Sequence, residues 1–356
     1  MRVPAPKGCN WKRCSLPRLE RSFVTAFPPL LNTCSLIEGE ARFAPRVLRL
    51  SVTERCNFRC SYCAPSPVFP DASRRDFPSL DQLAAAAMWL VRAACIQRIK
   101  ITGGEPLLRP GLVELVRKLS ASQLVKEVSL TTNGSRLRKF ALSLKNAGLS
   151  RVNISLDTLH PERFASLCGG NVQDTLDGID AAVQAGLSPV KLNAVLIRDS
   201  WRRDVPDLIA FAASKGLEIR FIELMPVGAT ADWAASHFVG APEVIRSVIN
   251  TGSIEWLPNS TGGPARRIRV TTPAGVALLG WITPESNSFC KWCDRLRLDS
   301  RGHLRRCLMD PVTLPILDLL RNECESEAIE RLYIYLKNKV PPNRMRSQNQ
   351  MMAMGG

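Results

Sequence analysis

The stretch Leu48-Arg-Leu-Ser-Val-Thr-Glu-Arg-Cys56-Asn-Phe-Arg-Cys60-Ser-Tyr-Cys63 decides the fold class of this chain. It begins as a strand and ends in three cysteines with the spacing C-x-x-x-C-x-x-C. A loop that directly follows a strand of an α/β sheet is where such sheets bind their ligands. The stretch therefore predicts a thiol-based cofactor site at the carboxyl end of the first strand.

Short β-branched runs alternate with amphipathic helical stretches beyond this point. The predicted strands are 47–52, 98–102, 127–131, 151–156, 190–196 and 218–223. Ser79-Leu-Asp-Gln82 is a capping box that starts one of the intervening helices. Because strands separated by helices must cross over and lie parallel, six βα units predict an α/β fold with a curled parallel sheet, either doubly wound or a partial (βα)6 barrel.

The chain divides into four predicted parts. Residues 1–45 form an arginine-rich leader that is either an organellar transit peptide or a disordered extension. Residues 46–235 hold the six βα units. Residues 236–345 form a smaller lobe with a helix at 242–250, two strands at 267–272 and 276–282, and a second cysteine cluster. Residues 346–356 form a polar tail that ends in Gly355-Gly356.

Composition narrows the functional classes. The 356 residues are 45% hydrophobic and 22% charged, which excludes wholesale disorder, and the apolar runs are too short for a membrane span. Lys and Arg number 48 against 32 Asp and Glu, so a polyanionic partner such as nucleic acid, an anionic membrane or a nucleotide phosphate is favoured. Twelve cysteines without a secretory signal indicate metal binding or catalysis.

The first cysteine set suits an iron–sulfur cluster. Three thiolates from Cys56, Cys60 and Cys63 can hold three irons of a [4Fe-4S] cluster and leave the fourth iron open to a small-molecule chelate. A structural zinc site needs four closed ligands, and no fourth Cys or His is near in sequence. Three incidental thiols are the remaining alternative.

The second set consists of Cys290, Cys293 and Cys307. The pattern of residues 295–308 predicts two short strands joined by a turn at 299–302, which brings Cys307 back towards Cys293. Either a second [4Fe-4S] cluster with an open iron or a zinc ribbon with His303 as fourth ligand fits this set, although His303 lies at the turn and is expected to point away. Arg295 and Arg297 share one face of the first strand and suit a phosphate chain or a purine edge.

Further motifs carry a resemblance to a known superfamily. The spacing of the first cysteines, with Tyr62 before the last one, and the turn Gly103-Gly104-Glu105-Pro106 after the second strand resemble radical S-adenosylmethionine (SAM) enzymes. In that superfamily the amino and carboxylate groups of SAM chelate the open iron. The glycines allow close backbone approach, and Glu105 can accept a hydrogen bond from the methionyl ammonium.

The whole combination of both cysteine sets and the terminal Gly-Gly closely resembles the GTP 3',8-cyclase family over roughly residues 46–356. The resemblance implies a TIM-like partial (βα)6 barrel closed by the C-terminal lobe, two [4Fe-4S] clusters, and SAM. It implies a lyase that converts GTP to (8S)-3',8-cyclo-7,8-dihydroguanosine 5'-triphosphate, the first step of molybdenum cofactor biosynthesis. The first cluster would cleave SAM, and the second would hold the guanine ring of GTP.

The same resemblance assigns residues. The predicted SAM contacts are Tyr62, Gly103, Gly104, Glu105, Ser155 and Met225. The predicted GTP contacts are Arg49, Lys100, Thr131, Lys191, Arg295, Leu296 and Arg297. Gly355 and Gly356 would end a tail that reaches into the active site. Most of the GTP positions are cationic, and their burial on one strand face without an anion would be costly.

Further expectations concern the partners, the cellular location and the positions at which this sequence departs from the family pattern. The family implies GTP, an electron donor and hand-off to cyclic pyranopterin monophosphate synthase, with no membrane partner and nucleic acid disfavoured; a homodimer is left open. The leader predicts the mitochondrial matrix if it is a transit peptide and the cytoplasm otherwise. Ala64 and Asp294 stand where the family usually has Met and Asn, and Asp294 is placed to neutralise part of the arginine pair. The other six cysteines are expected to be leader or buried thiols.

Two alternatives remain at the level of sequence. A radical SAM enzyme that acts on RNA or a peptide would keep the first cluster and explain the positive charge. A zinc-dependent nucleic-acid-binding module would explain the cysteines and the charge but leaves the six βα units and the Gly-Gly-Glu-Pro turn unexplained.

Overall fold

The computed structural model describes residues 45–63, 77–249, 254–258, 263–273 and 275–338. Six strands lie parallel and in chain order in one sheet. They are β1 (Val47–Ser51), β2 (Arg98–Thr102), β3 (Glu127–Thr132), β4 (Arg151–Ser155), β5 (Val190–Leu196) and β6 (Glu218–Glu223). The six predicted strands and their parallel arrangement are thus confirmed, with ends displaced by at most one residue.

Helices connect these strands and cover one face of the sheet. They are α1 (Leu80–Ala93), α2 (Leu112–Ser120), α3 (Leu137–Asn146), α4 (Pro161–Cys168), α5 (Val172–Gln184) and α6 (Trp201–Ser214), followed by α7 (Ala231–Ser236), α8 (Ala241–Ile249), α9 (Ile316–Asn322) and α10 (Glu325–Lys337). The predicted capping box starts α1, because Ser79 Oγ accepts from Gln82 N at 3.1 Å and Gln82 Oε1 accepts from Ser79 N at 2.9 Å. No helix in the described residues is both long enough and apolar enough to cross a bilayer.

The C-terminal strands extend the same sheet at both of its edges. On one side β10 (Arg295–Leu298) pairs parallel to β1, and β11 (His303–Arg305) and β12 (Leu314–Pro315) follow. On the other side β9 (Gly275–Ile282) pairs parallel to β6, followed by β8 (Arg266–Thr272) and β7 (Ile254–Leu257). Among the described strands β12 and β7 are the two ends of the sheet, so the sheet is open, with a parallel centre from β10 to β9 and antiparallel strands at both edges.

Strand alternation gives the sheet one apolar and one polar face. Leu48 and Leu50 are fully buried in the hydrophobic core, whereas Arg49 between them lies on the other face. That polar face is concave. Arg220 on β6 lowers the pKa of Lys100 on β2, although four strand spacings of a flat sheet would separate them by about 19 Å. The charged residues of the polar face therefore look into a shared interior.

A buried carboxylate holds the carboxyl end of β6 to the C-terminal lobe. Glu223, 1% exposed, accepts from the backbone N–H groups of Ala241 at 2.8 Å, Glu285 at 3.0 Å and Ser286 at 2.9 Å. The Ser286 hydroxyl also donates to Glu223. One side chain thus satisfies three backbone donors from two separate segments.

Removing this carboxylate should cost considerable stability. Glu223→Ala leaves three buried N–H groups without their acceptor, so we expect the free energy of unfolding to fall by about 2–4 kcal/mol. Glu223→Gln keeps one carbonyl oxygen and should lose less. Glu330→Ala, at an exposed position on α10, is the matched control. Equal urea midpoints for Glu223→Ala and the control would contradict this interpretation.

Candidate functional site

The Gly-Gly-Glu-Pro turn packs backbone to backbone against the loop that leads to Cys56. Gly104 N donates to Thr53 O at 2.7 Å, and Glu105 N donates to Arg55 O at 2.7 Å. A Cβ on Gly104 would lie 2.2 Å from Arg55 O, and one on Gly103 would lie 2.6 Å from Thr53 O. Only glycine fits at either position, so the turn and the cysteine loop form one rigid unit.

Glu105 holds this unit to the end of β3. Its Oε1 accepts from Leu107 N at 3.0 Å and from Thr132 Oγ1 at 2.7 Å, and its Oε2 accepts from Asn133 N at 2.8 Å. A carboxylate offers about four acceptor positions, so one remains, on Oε2. The predicted contact with an ammonium is therefore confined to that position, and most of the capacity of Glu105 serves the turn itself.

The first thiol set is free and half-buried. Cys56, Cys60 and Cys63 form no disulfide, and Phe58 N donates to Cys56 Sγ at 3.4 Å. Burial raises the pKa of Cys56 to about 11 and also raises the pKa of Cys63. Both thiols are therefore protonated near neutral pH before metal binds, and loading iron must release those protons.

Tyr62, between two of these cysteines, is half-buried and lies against Asp157. Burial and the neighbouring Asp157 carboxylate raise the pKa of Tyr62. The hydroxyl therefore remains protonated and donates to Asp157 Oδ2 at 2.6 Å. Ser155 ends β4 two residues before Asp157, and Met225 follows β6 and packs beside Val227 and Leu308.

The second thiol set lies towards the opposite end of the sheet from the first. Cys290 and Cys293 precede β10, which runs parallel to β1, whereas the first set follows β1. The predicted hairpin is confirmed, with Leu298 opposite Leu304, and leads back to Cys307. Cys290, Cys293 and Cys307 are free and half-buried. His303 instead lies 3.5 Å from Asp299 Oδ2 at the turn, as expected for a residue that points away from the thiols.

The donor sets fit iron–sulfur clusters by their chemistry. Each set supplies three free, half-buried thiols on a short loop, which are the ligands that [4Fe-4S] clusters use. In the described residues, no group of three or more His, Cys, Asp or Glu side chains is arranged to hold a single metal ion. The space beside Gly103 and Gly104 is filled by the backbone of Thr53 and Arg55, so these glycines serve the packing of the cysteine loop.

A row of cations lies between the two thiol sets on the concave face. Arg297, Arg49, Lys100, Ser129 and Arg151 occupy in-register positions on five neighbouring strands, β10 to β4. Burial lowers the pKa of Arg49, and Arg297 and Arg295 lower it further. Burial most of all, followed by Arg49, Arg151, Arg220 and Arg295, lowers the pKa of Lys100. This concentration of positive charge suits a polyanion bound on this face.

The row reaches the second thiol set through Arg297. Burial and Arg295 lower the pKa of Arg297 to about 10, whereas Cys307 and Cys293 act to raise it. The Arg297 guanidinium therefore lies near both thiols. Arg295 stacks on Phe289 with its guanidinium carbon 4.8 Å from the ring centroid.

The remaining predicted GTP contacts differ in their surroundings. Lys191 Nζ lies 2.8 Å from Glu218 Oε2, and Arg220 Nε lies 2.5 Å from Glu218 Oε1. Thr131 Oγ1 accepts from Asn153 Nδ2 at 3.3 Å. Leu296 is the exception, because alternation turns its side chain into the hydrophobic core, beside Leu48 and away from the arginines. Its predicted contact with GTP would therefore have to come from its backbone rather than its side chain.

Comparisons with known proteins account for nearly the whole described chain. The Radical SAM superfamily pattern matches residues 50–212, and Molybdenum Cofactor Synthesis C matches residues 217–344. The chain is 39% identical over 321 residues to a GTP 3',8-cyclase of Pelotomaculum thermopropionicum, covering 87% of this chain and 97% of that protein. The chain belongs to the GTP 3',8-cyclase family.

Other relatives agree. A GTP 3',8-cyclase of Moorella thermoacetica is 44% identical over 263 residues, which cover 73% of this chain and 80% of that protein. Among solved structures, SuiB of Streptococcus suis bound to S-adenosylmethionine has a TM-score of 0.55 at 14% identity, covering 85% of this chain and 70% of that one. That likeness shows the radical SAM fold, and the predicted resemblance to the cyclase family is confirmed.

Sequence reasoning missed part of the polar face of this family member. Arg220, Arg151 and Glu218 lie in or beside the cation row, but isolated charges on strands of separate βα units carry no motif. The sequence feature that could have identified them is the alternation of side chains along a strand, which places each of them on the same face as Lys100 or Lys191. Asp294 is predicted to neutralise part of the Arg295 and Arg297 pair. Its Oδ2 instead lies 3.1 Å from Arg98 Nη2.

Several predictions fall outside the described residues. These are the leader up to residue 44, Ala64, and the tail with Gly355 and Gly356. Among the cysteines without a motif, Cys168 is a buried free thiol as predicted and Cys324 is a half-buried one. Cys95 is disulfide-bonded, so the prediction of an isolated thiol is wrong there.

Proposed function

We propose that this chain acts as a GTP 3',8-cyclase, a radical SAM lyase that converts GTP to (8S)-3',8-cyclo-7,8-dihydroguanosine 5'-triphosphate at the start of molybdenum cofactor biosynthesis. One observation carries the proposal: a half-buried row of cations lies between two sets of three thiols that form no disulfide. A nucleoside triphosphate between two clusters requires that arrangement. Neither an RNA- or peptide-modifying enzyme nor a zinc module explains it together with the family membership.

Cys56, Cys60 and Cys63 would hold the cluster that binds SAM, and Cys290, Cys293 and Cys307 would hold a second cluster beside the guanine ring. When bound, the first cluster and SAM supply the capacity to remove a hydrogen atom from an unactivated carbon. The protein's contribution is to hold GTP so that C3' of the ribose faces that end of the interior.

The reaction balances on GTP itself. GTP loses the hydrogen atom from C3', a bond forms between C3' and C8, and one electron and one proton are then taken up. The product is therefore an isomer of GTP, and a further electron is used to cleave SAM. Cys290, Cys293 and Cys307 would hold the redox-active group that could supply the second electron beside the guanine.

The cations would neutralise the triphosphate. Arg49, Lys100, Arg295 and Arg297 lie on three adjacent strands, with Lys191 and Arg220 across the interior. Since burial and mutual repulsion lower the pKa of Lys100 and Arg49 in the ligand-free chain, a bound polyanion would relieve both costs. Thr131, on the neighbouring strand, would contact the nucleoside.

Isotope transfer tests this function. Reconstituted, reduced protein is incubated anaerobically with SAM and GTP deuterated at C3', and the products are analysed by mass spectrometry. We expect one deuterium in 5'-deoxyadenosine. The nucleotide product should have the mass of unlabelled GTP, because the deuterium lost from C3' is replaced by a proton from solvent. Deuterium-free 5'-deoxyadenosine with unchanged GTP would contradict the proposal.

Lys100 gives a test in which stability and function move in opposite directions. Because Lys100 repels its neighbours in the ligand-free fold, Lys100→Met should raise the apparent Tm by about 2–4 °C and weaken GTP binding by about 10–100-fold. The pKa of folded Lys100 lies below the unfolded value, so its charge opposes folding at low pH. The Tm advantage of Met should therefore be full below that lowered pKa and shrink as the pH rises from it towards the unfolded value. A lower Tm with unchanged GTP affinity would contradict this role.

The partners follow from the chemistry. We propose an external one-electron donor for the first cluster, hand-off of the product to a cyclic pyranopterin monophosphate synthase, and a homodimer as the form to test by light scattering. For location, we propose the mitochondrial matrix if residues 1–45 act as a transit peptide and the cytoplasm otherwise; the relatives named above are bacterial. Fluorescence of residues 1–45 fused to a reporter distinguishes the two.

A further inference from the structure

Tyr62, between Cys60 and Cys63, is fastened at both ends. Its hydroxyl donates to Asp157 Oδ2 at 2.6 Å. Its backbone carbonyl accepts from Thr230 Oγ1 at 3.0 Å. Both the ring and the main chain of the cysteine loop are therefore tied to the carboxyl side of the sheet, at β4 and beyond β6.

Asp157 is the point where these ties meet. It is 4% exposed, and its Oδ1 accepts from Val195 N on β5 at 2.8 Å. Its Oδ2, which accepts from Tyr62, also lies 3.7 Å from the thiol of Cys168. The carboxylate thus joins the cysteine loop, the end of β4, β5 and the end of α4 through contacts that all lie within the chain.

The position of Asp157 in the sequence gives this junction a function. It follows Ser155 by two residues, and Ser155 and Tyr62 are both predicted SAM contacts. We propose that Asp157 is a positioning residue for SAM, which fixes the separation of Tyr62 and Ser155 by anchoring the Tyr62 hydroxyl. This inference rests on the proposed function, because it requires SAM to bind at the first thiol set.

The hydrogen bond from Tyr62 to Asp157 is of a strong type that can fix the orientation of the Tyr62 ring. A hydroxyl bonded to a buried carboxylate is charge-assisted and is roughly twice as strong as a neutral pair. Without it the ring keeps its apolar packing but loses the hydrogen bond that fixes its direction. Since a misplacement of about 1 Å can cost a hundredfold in reaction rate, the loss should appear in SAM binding in addition to any loss of stability.

Tyr62→Phe isolates the hydroxyl. The variant is reconstituted anaerobically, and SAM affinity is measured by equilibrium dialysis together with the electron paramagnetic resonance spectrum of the reduced protein with and without SAM. We expect the Kd for SAM to rise about tenfold and the SAM-induced spectral change to shrink. Iron content and the Kd for GTP should stay within about twofold of the wild type.

Asp157→Asn and the double variant Tyr62→Phe/Asp157→Asn complete a cycle. If Asp157 acts through Tyr62, then Asp157→Asn weakens SAM binding in the wild-type background but adds little when Tyr62→Phe is already present. The Asn side chain keeps a carbonyl oxygen that can accept from Val195 N, so the substitution acts mainly at the Oδ2 position that faces Tyr62. Should Asp157→Asn fail to fold, Tyr62→Phe alone still decides the matter.

Tyr335→Phe is the matched control. Tyr335 is a buried tyrosine whose hydroxyl lies within hydrogen-bond distance of two carbonyls of the C-terminal lobe, Leu304 O at 3.0 Å and Val312 O at 2.9 Å. Its replacement should lower stability and leave the Kd for SAM within about twofold. The inference would be overturned if Tyr62→Phe bound SAM as tightly as the wild type, if the effects in the cycle were additive, or if GTP affinity fell as much as SAM affinity. Absence of SAM binding to wild-type protein would overturn the proposed function itself.

Discussion

Cys56→Ala is expected to abolish 5'-deoxyadenosine formation and to lower the iron content of the reconstituted protein from about eight to about four atoms per chain. Cys56 is one of three thiols on a loop whose backbone is fixed by the Gly-Gly-Glu-Pro turn, so its loss removes one of the three ligands at a fixed position. Iron analysis and chromatography of the reaction mixture measure both quantities.

Cys293→Ala should separate the two thiol sets. It too should lose about half of the iron, but SAM cleavage should persist while GTP is no longer converted, because the first set remains intact. Cys324→Ala, at a half-buried free thiol that starts α10, should change neither quantity. If Cys56→Ala and Cys293→Ala had the same pattern of losses, the assignment of separate roles to the two sets would be wrong.

Gly104→Ala is expected to have a comparably large effect through packing alone. The added methyl carbon would lie 2.2 Å from Arg55 O and 2.5 Å from Arg55 C, and a backbone carbonyl cannot move aside as a flexible side chain can. We expect a loss of ~3 kcal/mol in the free energy of unfolding and displacement of the Cys56 loop. SAM-dependent product formation should fall by at least about a hundredfold.

Gly240→Ala is the control for this change. A Cβ there would lie 3.6 Å from Pro242 Cδ, an ordinary contact. It should leave iron content, stability and activity close to those of the wild type. Full iron loading and activity of Gly104→Ala would show that the backbone contact does not govern the cysteine loop.

The strands could be predicted because their signal is local. Alternation and β-branched runs define β1 to β6 within the sequence of each strand, and Ser79 and Gln82 show the start of α1 three residues apart. Both thiol sets could be predicted for the same reason, since each loop carries at least two cysteines at cluster spacing. Their positions towards opposite ends of the sheet depend on β10 pairing parallel to β1, which no local pattern shows.

The arrangement of charged residues in the interior could not be predicted from the sequence. Glu218 and Arg220 belong to one strand, but their significance depends on Lys191 and Lys100 across a curved sheet. Asp294 is adjacent to Arg295 in sequence and pairs with Arg98 on β2 instead. Leu296 lies between two arginines, yet strand geometry turns it to the opposite face. In each case long-range pairing decides the role.

The most direct measurement is 5'-deoxyadenosine formation by anaerobically reconstituted, reduced protein given SAM with GTP, with ATP or with no nucleotide. We expect strong dependence on GTP, because in the proposed function the cations bind the triphosphate and the cluster held by the second thiol set contacts the guanine. SAM cleavage that is indifferent to GTP, or as fast with ATP, would contradict the assigned substrate. No cleavage by protein with fully loaded clusters would contradict the radical SAM activity itself.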